Sequence, residues 1–151
     1  MQKNINFIYM DWHQSEIEIL SNKRGFILIT DIIIDQISAI SNYKTGILNL
    51  FIKHTSASLT INENADPTVR TDMEAHFNHM VPEDAPYYRH IQEGSDDMPA
   101  HIKSMLTQTS LTIPVNNKKM NLGTWQGIFL IEHRASSMQR KINLTLLGES
   151  E

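Results

Sequence analysis

The sequence predicts an α+β domain in which β structure dominates, on the basis of three observations. Many short apolar or alternating segments are separated by turn residues, as β-strands are. Only two or three segments carry apolar residues at the three- and four-residue spacing of a helix face. The resulting order β, β, α, β, β, α, loop, α, β, β, β does not alternate in the doubly wound manner. We therefore expect a single compact, β-sandwich-like domain of mostly antiparallel strands with two or three helices.

Seven segments are predicted to be strands. In SEIEIL, the apolar Ile17 and Ile19 alternate with polar residues, as in a half-buried strand. The turn SNKRG separates this strand from FILIT, and the turn NNKK follows the strand SLTIPV. The other strands are GILNLFIKHT, ASLTIN, TWQGIFLIEH and KINLTLLG. Residues 1–11 have no clear period and are predicted to be an N-terminal extension of a single domain that spans residues 12–151.

Three segments are predicted to be helices. The first lies in TDIIIDQISAI, where Thr30 or Asp31 caps the helix and three isoleucines share one face: Ile33, Ile37 and Ile40. The second begins at Pro67 behind a capping Asp66, because an acid before an N-terminal proline is a common helix start. Its apolar residues recur at helical spacing: Val69, Met73, Phe77 and Met80. A short third helix covers about Pro99–Leu106.

The segment before the third helix carries more acid than a helix start requires. Residues 82–98 are predicted to be irregular, and a loop of this length is often functional. Asp96 and Asp97 both precede the helix, although capping needs only one acid. His101 lies one turn after Asp97, so the two side chains can face the same way. We expect one aspartate to cap the helix while the other accepts a histidine N–H or faces a ligand.

Composition excludes several classes of function. The chain of 151 residues has 13 basic and 17 acidic residues, without basic runs interleaved with aromatics, so no nucleic-acid partner is expected. No apolar stretch approaches the roughly 20 residues that span a bilayer, and MQKNINFIYMDW lacks the features of a secretory signal. We therefore expect a cytoplasmic protein with no membrane partner. Because cysteine is absent, any metal must bind nitrogen and oxygen ligands.

Histidines are the first candidates for such a metal site. His54 closes a predicted strand, His90 lies in the irregular loop, and His101 lies in the short helix. Their unrelated spacing is not a zinc signature, and seven histidines in 151 residues also scatter into loops by chance. His76 and His79 form a rival pair on the second helix, which we interpret as solvated or interface residues. The spacing alone therefore leaves the metal site open.

Polar side chains at two strand ends form a second group of candidates. Glu63 and Asn64 come directly after the strand ASLTIN, and Glu63 has no evident structural role there, so it is a candidate general base or metal contact. Asp66 is explained by helix capping. Gln126 lies between two glycines in LGTWQG, which suggests a close approach of the backbone to a ligand or a neighbouring chain.

Other kinds of chemistry have less support in the sequence. There is no phosphate-binding loop, dinucleotide fingerprint or nucleophile elbow. Ser56 and Ser58 are close to His54 in the sequence, yet adjacent strand positions point to opposite faces, so a serine nucleophile is weakly supported. Four basic side chains could bind an anionic substrate, although each is better explained as a surface charge: Arg70, Lys103, Arg134 and Arg140.

Three separated motifs carry a family likeness: HTSASLTINENADPTVRTDME, EGSDDMPAHIKSML and GTWQGIFLIEHR. They resemble the YjbQ family, also called UPF0047, over about Trp12 to Glu149. Motifs of this length at three places are highly specific. The chain departs from the family in LTQTSL, where a glycine is usual at or near Gln108.

The resemblance implies a compact, mostly β domain that forms homotrimers and has a metal site near the family's histidines. The family's histidines fall on His54, His90 and His101, which the resemblance implies as ligands of a divalent ion, zinc or alternatively magnesium. Glu63 and Asp97 are among the polar companions that the resemblance implies, and we expect Glu63 or Asp97 to transfer protons. The other companions that the resemblance implies are Asn64, Asp66, Asp96 and Gln126, which we expect to bind the substrate together with the basic Arg134.

The resemblance also implies an activity, since the family carries the label of a secondary thiamine-phosphate synthase. Such an enzyme joins a pyrimidine diphosphate to a thiazole phosphate with loss of pyrophosphate. We therefore expect a metal-dependent enzyme that acts on a small phosphorylated or otherwise anionic metabolite. One alternative is a non-catalytic trimer that binds a metal or metabolite. Another is a purely structural role, in which an ion bridges subunits.

Overall fold

The structure is a computed structural model that describes residues 10–150. The strands, in chain order, are β1 Met10–Ser21, β2 Gly25–Leu28, β3 Tyr43–Ile52, β4 Ala57–Glu63, β5 Ser110–Asn116, β6 Lys119–Met120, β7 Gln126–Glu132 and β8 Met138–Ser150. The helices are α1 Thr30–Gln36, α2 Pro67–Met80 and α3 Asp97–Leu106, with a 3₁₀ helix at Ser38–Asn42. Met10 and Asp11, from the predicted N-terminal extension, belong to β1, and residues 1–9 lie outside the described part.

The strands form two antiparallel sheets. The larger sheet has the order β1-β8-β3-β5-β6, and the smaller has the order β2-β7-β4. Their inner faces share one apolar core, to which both sheets contribute, for example Leu48 and Leu144 from the larger sheet and Leu59 and Leu130 from the smaller one. The prediction of a mostly antiparallel, β-dominated α+β fold is confirmed.

Helices α2 and α3 lie against the smaller sheet. The Phe77 ring of α2 packs on Phe26 of β2, with centroids 6.2 Å apart. On α3, the Ser104 hydroxyl donates to the Ala57 carbonyl at the start of β4. Residues 82–95 contain no helix or strand, as predicted for this loop. Within the described residues, no helix combines the length and apolarity needed to cross a bilayer.

Several predicted element boundaries were wrong. Helix α1 ends at Gln36, so Ile37 follows the helix and Ile40 lies in the 3₁₀ segment, although Ile37 is fully buried as expected of a core residue. Helix α3 begins two residues before Pro99, at Asp97. The NNKK turn is confirmed, since Asn117 and Lys118 both adopt positive φ, which a tight hairpin turn requires.

The larger sheet contains a charged side chain that we had interpreted as a surface residue. Arg140 on β8 is 2% exposed, and its guanidinium donates to both carboxylate oxygens of Glu132 on β7, at 2.7 and 2.5 Å. Glu132 also accepts hydrogen bonds from the Ser21 hydroxyl and the Arg134 N–H. Burial acts to raise the pKa of Glu132, but these hydrogen bonds and the Arg140 charge outweigh it and lower the pKa. This buried ion pair ties β7 to the larger sheet.

The residue after Glu132 faces the helices. His133 Nε2 lies 2.8 Å from the Ser58 hydroxyl, and the Thr107 hydroxyl donates to Ser58 at 2.6 Å. Both His133 and Ser58 are buried. Burial, with the Lys103 charge acting in the same direction, lowers the pKa of His133 to about 3. His133 is therefore neutral at physiological pH and packs as a hydrogen-bonded core residue.

We expect the stability of a His133→Gln variant to depend less steeply on pH than that of the unmodified protein between about pH 3 and 6.5. The unfolded chain takes up a proton on His133 below pH 6.5, whereas the folded protein does not, so acidification favours unfolding by up to about 1.4 kcal/mol per pH unit. Urea unfolding at several pH values measures this slope. The exposed His76→Gln is the matched control, and parallel curves for His133→Gln and the unmodified protein would contradict the assignment.

Candidate functional site

Two of the predicted histidines meet at a buried carboxylate. His90 Nε2 lies 2.8 Å from Asp97 Oδ2, and His101 Nε2 lies 3.3 Å from the same oxygen. The two imidazole centroids are 5.5 Å apart. One ligand atom from each of the three residues lies within 4.8 Å of the others, an arrangement that could hold a metal ion. His90 is exposed to solvent and His101 is partly exposed, so the group faces the outside of the chain.

The local structure orients His101. Asp97 and His101 are four residues apart on α3, so they lie on one face of the helix. His101 Nδ1 donates to the Thr55 carbonyl oxygen at 3.0 Å, because a carbonyl can only accept. In the neutral ring this tautomer leaves the lone pair on Nε2, which faces Asp97 Oδ2. Two acceptors in contact repel each other unless a proton or a metal cation lies between them.

Arg134 holds Asp97 in place from the opposite side. Arg134 Nη1 donates to Asp97 Oδ1, and Nε donates to Asp96 Oδ2 at 3.0 Å. Its third group, Nη2, donates to the Glu93 carbonyl at 2.8 Å. The Asp97 side chain is only 2% exposed, so its carboxylate has little freedom to turn away from the histidines. One guanidinium thus joins the loop, the start of α3 and the end of β7.

The contacts of Asp96 explain why a second acid stands beside Asp97 at the start of α3. It occupies the N-cap position, but its side chain makes no capping hydrogen bond. The prediction that one aspartate caps the helix through its side chain was therefore wrong. Asp96 Oδ2 instead accepts from Arg134 and, at 2.8 Å, from the Ala135 N–H. Burial acts to raise the pKa of Asp96, but these hydrogen bonds and the Arg134 charge outweigh it and lower the pKa.

His54 does not belong to the His90–Asp97–His101 group within one chain. Its Nε2 accepts a hydrogen bond from the Lys141 N–H at 2.8 Å, so the neutral ring carries its proton on Nδ1 and has no free lone pair. Burial, with the Arg140 charge next in size, lowers the pKa of His54. The adjacent residue in the chain is Thr55, whose carbonyl holds His101. His54 is thus near the group, while a ligand role for it stays a prediction.

The remaining predicted site residues lie at the other end of β4. Glu63 ends this strand, which is about 20 Å long, whereas Thr55, which contacts His101, precedes its start. Asn64 donates to the Gln126 carbonyl at 3.2 Å, and the Gln126 side-chain oxygen accepts from the Gly123 N–H at 2.8 Å. Within one chain these residues therefore form a separate group from the two histidines.

Asp66 has the structural role that the sequence indicated. Its carboxylate accepts hydrogen bonds from the Thr68 N–H and the Thr68 hydroxyl, both at 2.8 Å. These bonds cap α2 and lower the pKa of Asp66. Capping therefore occupies the oxygen that faces the helix, and the expected helix start is confirmed.

Two hydrogen bonds at the site, to the carbonyls of Thr55 and Glu93, could not be predicted from the sequence. The Thr55 and Glu93 contributions are backbone carbonyls, which every residue has, so no sequence signal distinguishes them. The Glu132 carboxylate, which accepts from the Arg134 N–H, did carry a signal, because an acid in the otherwise apolar run GIFLIEH requires a buried partner.

The fold and the site together define a small two-sheet α+β protein with a surface-facing histidine–aspartate group that could hold a metal ion. The UPF0047 protein YjbQ-like family model matches residues 15–149. The chain belongs to this family.

Relatives in bacteria and archaea align over most of the chain. The UPF0047 protein YjbQ of Salmonella typhimurium is 54% identical over 138 residues, which cover 91% of this chain and 99% of that protein. The UPF0047 protein MJ1081 of Methanocaldococcus jannaschii is 44% identical over 133 residues, covering 87% and 92%. These relatives bear only the family designation, so the comparison supports the family and leaves its activity open.

Solved structures share the fold. A YbjQ-like protein of unknown function from Sulfolobus solfataricus superimposes with a TM-score of 0.82 at 25% identity, covering 93% of this chain and 100% of that one. The conserved hypothetical protein TT1486 from Thermus thermophilus gives a TM-score of 0.73 at 33% identity, covering 85% and 95%. The two-sheet arrangement is therefore common to proteins whose sequences have diverged widely.

We expect Arg134→Met to loosen the segment from Glu93 to Asp97. The variant removes three hydrogen bonds from a charged donor, each of which contributes about 1.5–3 kcal/mol. Amide hydrogen exchange in this segment should accelerate by at least about tenfold, since 1.4 kcal/mol corresponds to a factor of ten. The exposed Arg89→Met, in the same loop, is the matched control. Unchanged exchange in Arg134→Met would show that Arg134 does not hold the site together.

Proposed function

We propose that the protein is a metal-dependent enzyme that acts on a small phosphorylated substrate, with the ion held by His90, His101 and Asp97. The observation that carries this proposal is the pair of facing acceptors, His101 Nε2 and Asp97 Oδ2, 3.3 Å apart. Two ligand atoms on a tetrahedral zinc ion are about 3.4 Å apart, given bonds of about 2.0–2.2 Å. The donor set and this spacing therefore fit a zinc ion, whereas His90 Nε2, 2.8 Å from the same carboxylate oxygen, would have to move outward by about 0.6 Å when the ion binds.

The number of ligands suits catalysis. Two histidines and one carboxylate are a common set in catalytic zinc sites, which keep a further position open for water or substrate. Magnesium is the less suitable ion, because it prefers oxygen ligands over imidazole. If His54 is an additional ligand, as the family resemblance implies, its ring must first release the Lys141 N–H.

The residues of this chain would act in distinct ways. The hydrogen bond to Thr55 fixes the tautomer of His101, and such an outer contact is typical of metal-bound imidazoles. Arg134 compensates the charge of Asp97 and keeps its carboxylate directed at the histidines. The low exposure of Asp97 favours an orienting or ligand role over the role of a mobile proton carrier. Glu63, the other proposed proton-transfer residue, is partly exposed at the far end of β4.

The proposed reaction is the thiamine-phosphate synthase step, as a secondary activity. A divalent ion would neutralise negative charge that develops on the leaving pyrophosphate. The pyrimidine diphosphate and the thiazole phosphate are both anionic, and the predicted binding residues Asn64 and Gln126 supply amide groups for uncharged parts of a substrate. Family membership supports this reaction only through the label that the family carries.

A homotrimer is part of the same proposal. On the outer face of the larger sheet, Trp12, Leu147, Ile47 and Pro114 occupy directly paired positions on four adjacent strands. Trp12 and Ile47 are 61% and 44% exposed, which is typical of a surface that contacts another chain. In such an assembly the Glu63–Gln126 end of one subunit could approach the histidines of the next, and the two groups of site residues would then form one site.

The alternative is a protein that binds a metal or metabolite without turnover. It is favoured by one observation: Glu63 lies at the far end of β4 from His101 within a single chain. A protein that only binds an ion needs the metal ligands and the residues that orient them, and it does not need Glu63 close to the ion. A purely structural ion is distinguished from both by light scattering, since chelation would then dissociate the trimer.

We expect His101→Ala to reduce zinc occupancy, measured by elemental analysis after dialysis, from about one ion per chain to below about a tenth. Loss of one of three ligands removes most of the affinity. His76→Ala, a histidine of α2 that lies outside the group, is the control and should keep its ion. Incubation of the zinc protein with the pyrimidine diphosphate and thiazole phosphate then tests turnover. Full occupancy in His101→Ala refutes the ligand set, whereas zinc binding without product from any metal favours the non-catalytic alternative.

A further inference from the structure

A cavity separate from the His90–Asp97–His101 group lies between the start of β2 and the first turns of α2. Its volume is about 420 Å³, enough for a small metabolite. The basic residues in its lining are Lys23, Arg24 and Arg70, and Thr71 adds a hydroxyl. We call it the basic cleft. It contains neither His90, His101 nor Asp97.

The outer cations of the basic cleft have no close ion-pair partner among the described residues, although the Asp66 carboxylate at the start of α2 interacts electrostatically with Arg70. Neither Lys23 nor Arg70 forms a salt bridge with any described carboxylate. The Arg70 guanidinium instead lies over the Phe129 ring, 5.8 Å from its centroid. Stacking on a buried ring restricts this side chain, so the guanidinium is held in position for a ligand.

A third cation has an unused donor. Arg24 Nε is buried and has no hydrogen-bond partner in the described residues. Its Nη2 is occupied by Glu83, at 2.6 Å. An orphaned donor on a charged group is costly to bury, by about 1–3 kcal/mol, and an anion or an ordered water is the usual remedy.

A fourth cation lies behind the basic cleft. Arg24 and Glu74 also line a small inner cavity that contains Lys103. Lys103, which we had interpreted as a surface charge, is 3% exposed, and its ammonium donates to the Asn78 side-chain oxygen at 2.6 Å. Burial, and then the Arg24 charge, lower the pKa of Lys103. This buried lysine adds positive potential on the inner side.

The acids near the basic cleft do not cancel these charges. Glu74 is the only carboxylate among the residues that line it, and Glu74 forms no salt bridge with a described residue. Glu83 is paired with Arg24. Asp96 lies 3.9 Å from Arg24 but is engaged by Arg134. The lining of the cleft itself thus carries three cations against one acid.

We propose that the basic cleft binds a phosphoryl dianion, either inorganic phosphate or the phosphate of a small monoester. Arginine recognises phosphate through paired N–H donors, and Arg70 and Arg24 approach the cleft from two different elements. A carboxylate offers one negative charge and two oxygens to three cations, so it satisfies them less well. The site does not depend on the proposed metal chemistry, because it shares no residue with the His90–Asp97–His101 group.

The test is isothermal titration calorimetry, in which sodium phosphate is added to the full-length protein in the presence of EDTA at constant ionic strength. We expect a Kd below about 1 mM, and binding at least about tenfold weaker for Arg70→Gln, which loses a charged donor pair. Lys23→Gln, an exposed change that leaves the fold intact, should weaken binding by about threefold. Lys44→Gln, an exposed change on β3, is the control and should match the unmodified protein.

Glu74→Gln should change the phosphate affinity in the opposite direction. Because it removes the one acid of the lining, phosphate should bind about threefold more tightly. A gain in affinity cannot result from misfolding. Glycerol phosphate compared with inorganic phosphate identifies which form binds more tightly, and acetate should bind at least about tenfold more weakly than either. Equal affinities for acetate and phosphate would overturn the proposal. So would phosphate affinities of Arg70→Gln and of Glu74→Gln that both equal the affinity of the unmodified protein. Failure of the proposal would leave the zinc measurement on His101→Ala unaffected.

Discussion

The arrangement of the candidate site depends on one interaction, the pairing of the Arg134 guanidinium with Asp96 and Asp97. Asp97 is almost fully buried, and a buried carboxylate without a partner is strongly destabilising. Arg134 provides that partner and also binds the Glu93 carbonyl. This guanidinium therefore ties the loop that carries His90 to the helix that carries His101, in addition to the direct contact between His90 and Asp97.

The end of β7 organises three layers of the molecule through three consecutive residues. Glu132 forms the buried ion pair with Arg140 of the larger sheet. His133, the first residue after β7, contacts Ser58 and the Phe77 ring of α2. Arg134 then reaches the site, and the Glu132 carboxylate accepts its N–H. These three residues thus link the core, the helices and the site within one short segment.

Much of the fold was accessible from the sequence, because apolar periodicity reports burial directly. Alternation identified β1, and helical spacing with the Asp66 cap identified α2. The start of α3 was misplaced, because two acids before Pro99 suggested side-chain capping, whereas Arg134, 37 residues further along the chain, takes both carboxylates. Arg140 and Lys103 were misinterpreted for the same reason, since burial of a charge depends on partners that are remote in the sequence.

The histidines illustrate the same limit. One-turn spacing correctly indicated that Asp97 and His101 face each other, and His90 joins them. Spacing could not show that His54, just after β3, accepts a hydrogen bond from the backbone N–H of Lys141 on the neighbouring strand β8. The most direct measurement is an anomalous-diffraction map at the zinc edge from crystals grown with zinc. We predict a peak within about 2.2 Å of Nε2 of His90, Nε2 of His101 and a carboxylate oxygen of Asp97. Zinc bound at another place, with Asp97 turned away from both rings, would contradict this arrangement.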